Sequence, residues 1–260
     1  MLYSILFRLA ARLYRARYRI APHYLLAILA VSGSGAYLRG QDRFAANVAT
    51  AEVQLEDARS TLDDTALVSV KQVFERCAQQ HAGNSRCYYD LGRVYSYLID
   101  AKERQKDRQG ALRSLDSAIE NAQRSINLDG GFADAHALLG DLYGRKIGYG
   151  GMLAGMRLGP KADEEAKRAL QLDPNDPRIY VVLGRRQLYS PKIFGGDIDK
   201  AIDSFRKSTK LDPHYDEAFV WLAIAYVKKG DSSSARASVD EALRLNKQNV
   251  IARELRSTMK

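Results

Sequence analysis

The sequence predicts an all-α protein, a solenoid of stacked helical hairpins. Three observations predict it. Asp216 to Asn249 holds two helix-period patterns joined by Gly230-Asp231. Leu222, Ala223 and Tyr226 share one side of the first, and Ala235, Val239, Ala242 and Leu245 share one face of the second. Second, Leu-Gly followed three residues later by an aromatic recurs, as Leu91-Gly92-x-x-Tyr95 and Leu139-Gly140-x-x-Tyr143. Third, Leu-Asp, usually with Pro next, recurs as Leu128-Asp129, Leu172-Asp173-Pro174 and Leu211-Asp212-Pro213.

The 260 residues are 46% apolar, which excludes a disordered chain. No run reaches about 18 consecutive apolar residues, which excludes a polytopic membrane protein. The formal charge of +9 is concentrated at one end. The first 40 residues hold six arginines (8, 12, 15, 17, 19 and 39) and no acid. The remainder has 40 − 6 = 34 basic against 31 acidic residues. A basic tail points to targeting or membrane contact rather than nucleic acid, for which no motif is present.

On a helical wheel, Arg8, Arg12, Arg15 and Arg19 cluster in one sector and Leu2, Ile5, Leu6, Leu9, Leu13 and Ile20 in the next. That is a basic amphipathic helix suited to an anionic surface. Pro22 interrupts it, and an apolar run follows from Tyr24 to Leu38. An uncleaved anchor with its N-terminus inside is the favoured reading, because arginines precede the apolar run. The alternatives are a signal cleaved near Ser34-Gly35-Ala36, a mitochondrial presequence, or an interfacial helix.

Phe44, Val48, Ala51, Leu55, Ala58 and Leu62 form the seam of a packed helix. Asp63 and Asp64 then mark the start of another, with Val70, Phe74 and Cys77 inward. From here the pattern resembles the tetratricopeptide repeat (TPR), whose period is about 34 residues. Asp216 to Asn249 is one ungapped period. The resemblance implies a right-handed superhelix of about five helix-turn-helix pairs with a C-terminal capping helix. It divides the chain into a 1–40 tail, a degenerate first repeat at 41–84, repeats at 85–131, 132–176, 177–215 and 216–249, and a cap at 250–260.

The register departs from the family in three places. Gly92 to Ala118 is 26 positions, Gly140 to Ala162 is 22 and Gly184 to Ala201 is 17, against 12 from Ala223 to Ala235. The first excess lengthens both helices, since Ile99, Leu112 and Leu115 extend the apolar stripe. The second, Ile147 to Gly159, has five glycines and is expected to break the helix. The third surrounds Pro191-Lys192-Ile193-Phe194-Gly195-Gly196-Asp197, and this pattern resembles inserts in some bacterial envelope TPR proteins, including transport-accessory components.

Gly155 to Ala162 lacks the ending of a phosphate loop, and Ser34 lies outside any nucleophile elbow. His23, His81, His136 and His214 lack ligand spacing and are expected on helix faces or the surface. The expectation is a non-catalytic protein without cofactor or metal.

In the register of the family, Cys77 and Cys87 face each other across one turn between helices. They are either two buried thiols acting as small hydrophobes or a disulfide in an oxidising compartment.

In such arrays the first helices line a concave groove. Carrying the register over places Arg86, Tyr89, Asp90, Arg93, Tyr97, Asp134, Leu138, Asp141 and Arg145 there. It adds Arg178, Val181, Arg185, Tyr189, Glu217, Trp221, Ile224 and Lys228. Arginines and tyrosines on one face suit an acidic or C-terminal peptide; the plain alternative is a solvated face. Arg93→Ala with Arg185→Ala is expected to abolish capture of a partner without lowering the melting temperature. The function expected is a membrane-tethered adaptor working outside the cytoplasm, on the periplasmic side. The alternative is an exported ligand-binding or transport-accessory component.

Overall fold

The computed structural model describes residues 36–192 and 195–259, with side chains from residue 47 onward. The expected basic helix, the apolar run as far as Gly35 and Ile193-Phe194 lie outside the described residues. Two compact units are present, Met1–Gln54 and Leu55–Lys260. Helix α1 (Ala36–Thr61) forms the described part of the first and crosses into the second, so its last turns belong to the solenoid.

Nine further helices follow among the described residues: α2 (Asp64–Gln80), α3 (Ser85–Arg104), α4 (Arg108–Leu128), α5 (Ala133–Leu172), α6 (Pro177–Tyr189), α7 (Ile198–Leu211), α8 (Asp216–Lys229), α9 (Ser232–Leu245) and α10 (Val250–Thr258). Among those residues the fold is wholly helical, a solenoid of hairpins. Helix starts are set by short polar side chains accepting orphan backbone N–H groups. Asp63 accepts from Thr65 and Ala66, Asp107 from Gly110, Asp197 from Asp199 and Lys200, and Asp231 from Ser234. α5 and α8 start on Phe132 and Tyr215 without a side-chain cap; Asp134 and Asp216 in their first turns complement the helix dipole instead.

The Leu-Asp motif proves to be a turn device. Asp129, Asp173, Asp212 and Asn246 close their helices with nearly the same extended backbone. Each side-chain oxygen accepts from the N–H two residues on, at 2.9, 2.9, 2.9 and 3.1 Å. The geometry is unchanged where Gly130 or Lys247 stands in place of proline. The Asx oxygen therefore sets the turn, and proline is an accessory.

The Leu-Gly positions are points of close approach between helices. A Cβ at Gly92 would lie 3.4 Å from the Ala118 carbonyl oxygen, and one at Gly140 3.3 Å from that of Ala162. At Gly184 it would run into the Phe205 ring. Gln187 stands where the other repeats carry an aromatic, and Phe205 on α7, fully buried, fills that gap from the opposite side.

The first insertion lengthens α3 and α4, burying Ile99 and Leu115. The second corrects the expected break over Ile147 to Gly159. Only Gly151, at φ 66°, leaves helical geometry, and α5 is two arms folded on each other there. Gly155 and Leu158 are buried in the second arm, so helix continues on both sides. Pro160 is accommodated within it. The third insertion stays a loop. Asp197 N–H donates to the Gln187 carbonyl at 2.8 Å, and Gly196 sits so close to the Ser190 carbonyl that only glycine fits.

Cys77 on α2 and Cys87 on α3 form a disulfide, with Cα atoms 5.5 Å apart. Both are buried, as are Val70 and Phe74 along the same stripe of α2.

Candidate interaction face

The first helix of each hairpin turns one stripe to a shared inner face. Its charged residues come from the register, and their partners come partly from the same helix and partly from neighbouring repeats. Arg86 pairs with Asp90 at 2.9 Å, and Arg93 with Asp90 at 3.3 Å and with Glu56 of α1. Arg145 on α5 reaches back to Asp100 on α3 and donates to the Ser96 carbonyl at 3.0 Å. Arg185 on α6 reaches Asp141 on α5 at 3.2 Å. Arg178 binds Asp134 at 2.7 Å and its own cap Asp176 at 2.6 Å. α3, α5 and α6 are thus each pinned to an earlier helix by an arginine and an acid.

That ladder corrects two expectations. The arginines are not a free cationic surface, since each has an acid of the same fold beside it. Arg93→Ala and Arg185→Ala are therefore expected to cost stability, because each removes one of two arginines beside a buried carboxylate, leaving Asp90 with Arg86 at 2.9 Å or Asp141 with Arg145 at 3.9 Å. Tyr89 is also not offered to a ligand. It is buried, 4.8 Å from the Phe132 ring, with the Arg86 guanidinium 5.2 Å over it.

The last turns of α1 close the other end. Arg59 donates to Asp216 at 2.8 Å and lies 3.7 Å from Glu217. Ser60 accepts from Asn246 at 2.6 Å. Burial would raise the Asp216 carboxyl, but Arg59 with the Asn249 and Asn246 amides outweighs it and holds the group below its ordinary value. Glu56 is likewise held low by Arg59 and Arg93 against the effect of burial. Tyr97, wedged between these charges, is pushed up to about 12, chiefly by burial. Glu56 and Arg59 were not among the register positions. Their signal was local, a Glu-x-x-Arg pair in the helix whose seam holds Leu55 and Ala58.

The open part of the face is aromatic. Arg185 lies 4.4 Å over the Trp221 ring. Tyr189 meets the same indole edge-on at 6.2 Å, and Phe205 stacks on it at 6.5 Å. Lys228 sits 4.8 Å over Tyr189, which remains 58% exposed. The Lys228 ammonium also donates to the Leu188 carbonyl at 3.1 Å, which leaves it further donors for an incoming group. Glu217 fixes the indole by accepting from its Nε1 at 3.2 Å. This is a preorganised aromatic and cationic shelf built from α6 and α8.

His136 is not a surface residue. It is buried, with Nδ1 on Glu165 and Nε2 on the Gly130 carbonyl, tying the two arms of α5 together. Among the described residues no group of three or more His, Cys, Asp or Glu could hold a metal ion.

A hairpin solenoid with small residues at its helix crossings and an Asx turn between repeats defines the class. The tetratricopeptide repeat family model matches residues 195–257, which span α7 to α10. A thermophilic TPR protein of Thermus thermophilus superposes with a TM-score of 0.59 at 17% identity, covering 80% of this chain and 98% of that one. At that identity the likeness shows the fold alone. Residues 195–257 thus match tetratricopeptide repeats, and the described chain shares the fold of that thermophilic TPR protein. MamA (41 to the end) of Desulfovibrio magneticus covers 77% of this chain and 97% of its own at 16% identity, but its TM-score of 0.39 carries no argument. The human Protein O-mannosyl-transferase TMTC1 is 24% identical over 185 residues, 64% of this chain. The chain spans 19% of that protein's length. Among the described residues, no helix is long and apolar enough to cross a membrane.

Proposed function

We propose that this protein is a non-catalytic, membrane-tethered adaptor that holds an acidic or C-terminal peptide segment of a partner protein on its inner face. Tetratricopeptide arrays are in general scaffolds for protein or peptide partners, and that general role follows from the fold. The observation that carries the finer reading is the shelf of Arg185, Trp221, Tyr189 and Lys228. It is aromatic, cationic, preorganised by Glu217 and open at Tyr189. A carboxylate on Lys228 with an apolar neighbour against Tyr189 and Trp221 suits that chemistry. The mannosyl transfer in the human relative's name is not part of this reading, since the match spans 19% of that protein.

The tether and the compartment rest on other residues. Six arginines ahead of the apolar run Tyr24 to Leu38 support an anchor with its N-terminus inside. The Cys77–Cys87 disulfide supports a solenoid on the oxidising, extracytoplasmic side.

Two experiments test this. A photoreactive side chain at position 228, irradiated in the native membrane fraction, is expected to give one dominant protein adduct; none at 228 refutes the shelf. Alkaline carbonate extraction is expected to leave the full-length chain in the pellet, and a wholly soluble full-length product refutes the anchor.

A further inference from the structure

The tip of the α5 hairpin is unlike the rest of the surface. Met152, Leu153 and Met156, immediately after the turn at Gly151, are 70, 80 and 63% exposed. Exposed large apolar side chains elsewhere among the described residues are scattered singly; these three share one helical turn. They also sit at an apex, where the first arm of α5 gives way to the second.

The chain segment that carries them is charged with one sign, although Arg145, Lys146 and Tyr149 are partnered by Asp100, Asp116 and Glu103 of other helices. From Gly144 to Lys161 there are four basic residues, Arg145, Lys146, Arg157 and Lys161, and no acid. Arg157 and Lys161 are exposed and, among the described residues, carry no ion pair. Arg108 of the neighbouring α3–α4 turn is drawn to the same tip. It donates to the Tyr149 carbonyl at 3.3 Å and lies 5.0 Å over that ring.

We propose that this tip is a lipid-insertion site: Met152, Leu153 and Met156 enter the acyl boundary of an anionic membrane surface while Arg157 and Lys161 bind the headgroup phosphates. The proposal extends the membrane part of the reading above and places a second contact on the solenoid itself. A convex apex with two flexible thioethers and no aromatic anchor is poorly shaped for a protein hot spot, which favours buried Trp, Tyr or Arg. It matches what enters a headgroup layer: a small apolar cap within a cationic collar, attracted by roughly 1 kcal/mol per basic residue.

The test uses the full chain with Leu153→Trp and vesicles containing phosphatidylglycerol, either plain or brominated in the acyl chains. Trp221 of the unsubstituted protein supplies the reference signal. The indole introduced at 153 is expected to lose about half of its emission on brominated anionic vesicles, as a group placed about 5–10 Å into the interface does. Trp221 is expected to keep its own. Arg157→Glu with Lys161→Glu is expected to abolish the quenching while circular dichroism stays unchanged. Protein that sediments with the vesicles but shows no quenching at 153 overturns the tip and leaves the tether intact. Protein that stays in the supernatant overturns both. Equal quenching on purely zwitterionic vesicles overturns the anionic preference. A vesicle-independent blue shift that grows with protein concentration overturns the proposal in favour of a second copy of the chain.

Discussion

Arg59 and Asp216 stand 157 positions apart in the sequence and 2.8 Å apart in the structure. The pair joins the end of α1 to the start of α8, the ungapped repeat. Asp216 also accepts from Asn246 and Asn249, at 2.9 Å each. The buried carboxylate is therefore fully partnered, and its neutralisation depends on Arg59. Arg59→Ala is expected to destabilise the solenoid by about 3–5 kcal/mol, the usual cost of leaving a buried charge unpaired. Asp216→Asn, which keeps an acceptor, is expected to cost less. Urea titration followed by circular dichroism checks both. Equal, small losses would show the pair to be incidental.

The disulfide gives a second measurable term. Cys77 and Cys87 are 10 positions apart and close a short loop at the turn between α2 and α3. Constraining a loop of that size in the unfolded chain is worth about 3 kcal/mol. A dithiol reductant is expected to lower the urea midpoint of the wild type and to leave Cys77→Ala with Cys87→Ala unmoved. Two titratable thiols in the native protein would defeat the expectation.

Gly184 separates close packing from mere tolerance of a small residue. An added Cβ there meets the Phe205 ring, which is fully buried. Gly184→Ala is expected to cost about 1–3 kcal/mol through overpacking. Phe205→Leu alone leaves a void, but combined with Gly184→Ala it is expected to restore part of the loss. The double-mutant cycle measures that coupling, and strict additivity would refute the contact.

What the sequence made legible was whatever repeats. The Asx turns and the small residues at helix crossings recur at fixed offsets, so one good period at Asp216–Asn249 locates them upstream, and Cys77 and Cys87 fall on two such small positions. The partners of the inner arginines were not legible. Arg145 meets Asp100, Arg185 meets Asp141 and Arg59 meets Asp216 across different repeats. Those pairings depend on the pitch of the stack, which no local pattern encodes. Tyr89 was assigned to the groove by register alone, and Phe132, a residue of the turn before α5, covers it. Over Ile147 to Gly159, glycine content pointed to a loop. Packing of Gly155 and Leu158 against the first arm overrides that propensity, so one glycine of five makes the turn.

Acid and base act on this face in opposite directions. Burial, with Asp176 beside it, raises the Asp134 carboxyl to about 6, while Arg178 opposes the rise. The folded chain then holds a proton that the unfolded chain has released. Asp134 therefore favours folding most below the usual carboxylate range, and that contribution is lost as pH rises through about 6. Asp216 and Glu56 are held below their ordinary values, so their contribution is present at neutral pH and lost on acidification below about pH 4. Asp134→Asn removes the first effect alone. Its melting temperature relative to wild type is expected to rise between pH 5 and pH 8, and a pH-independent difference would refute the assignment.

The shelf predicts a separation between binding and stability that the ion-pair ladder does not allow. Tyr189 is half exposed and Lys228 is exposed; neither neutralises a buried acid. Tyr189→Ala with Lys228→Ala is expected to weaken capture of the native partner about tenfold or more, as for an interface anchor. The melting temperature is expected to move by no more than a few degrees, the scale of surface substitutions. Arg185→Ala behaves differently, since it takes from Asp141 the nearer of its two arginines and from Trp221 its cation together. It is expected to lower both binding and melting temperature. If Tyr189→Ala with Lys228→Ala leaves capture unchanged while Arg185→Ala reduces it only in proportion to unfolding, the inner face is a structural seam and the partner docks elsewhere.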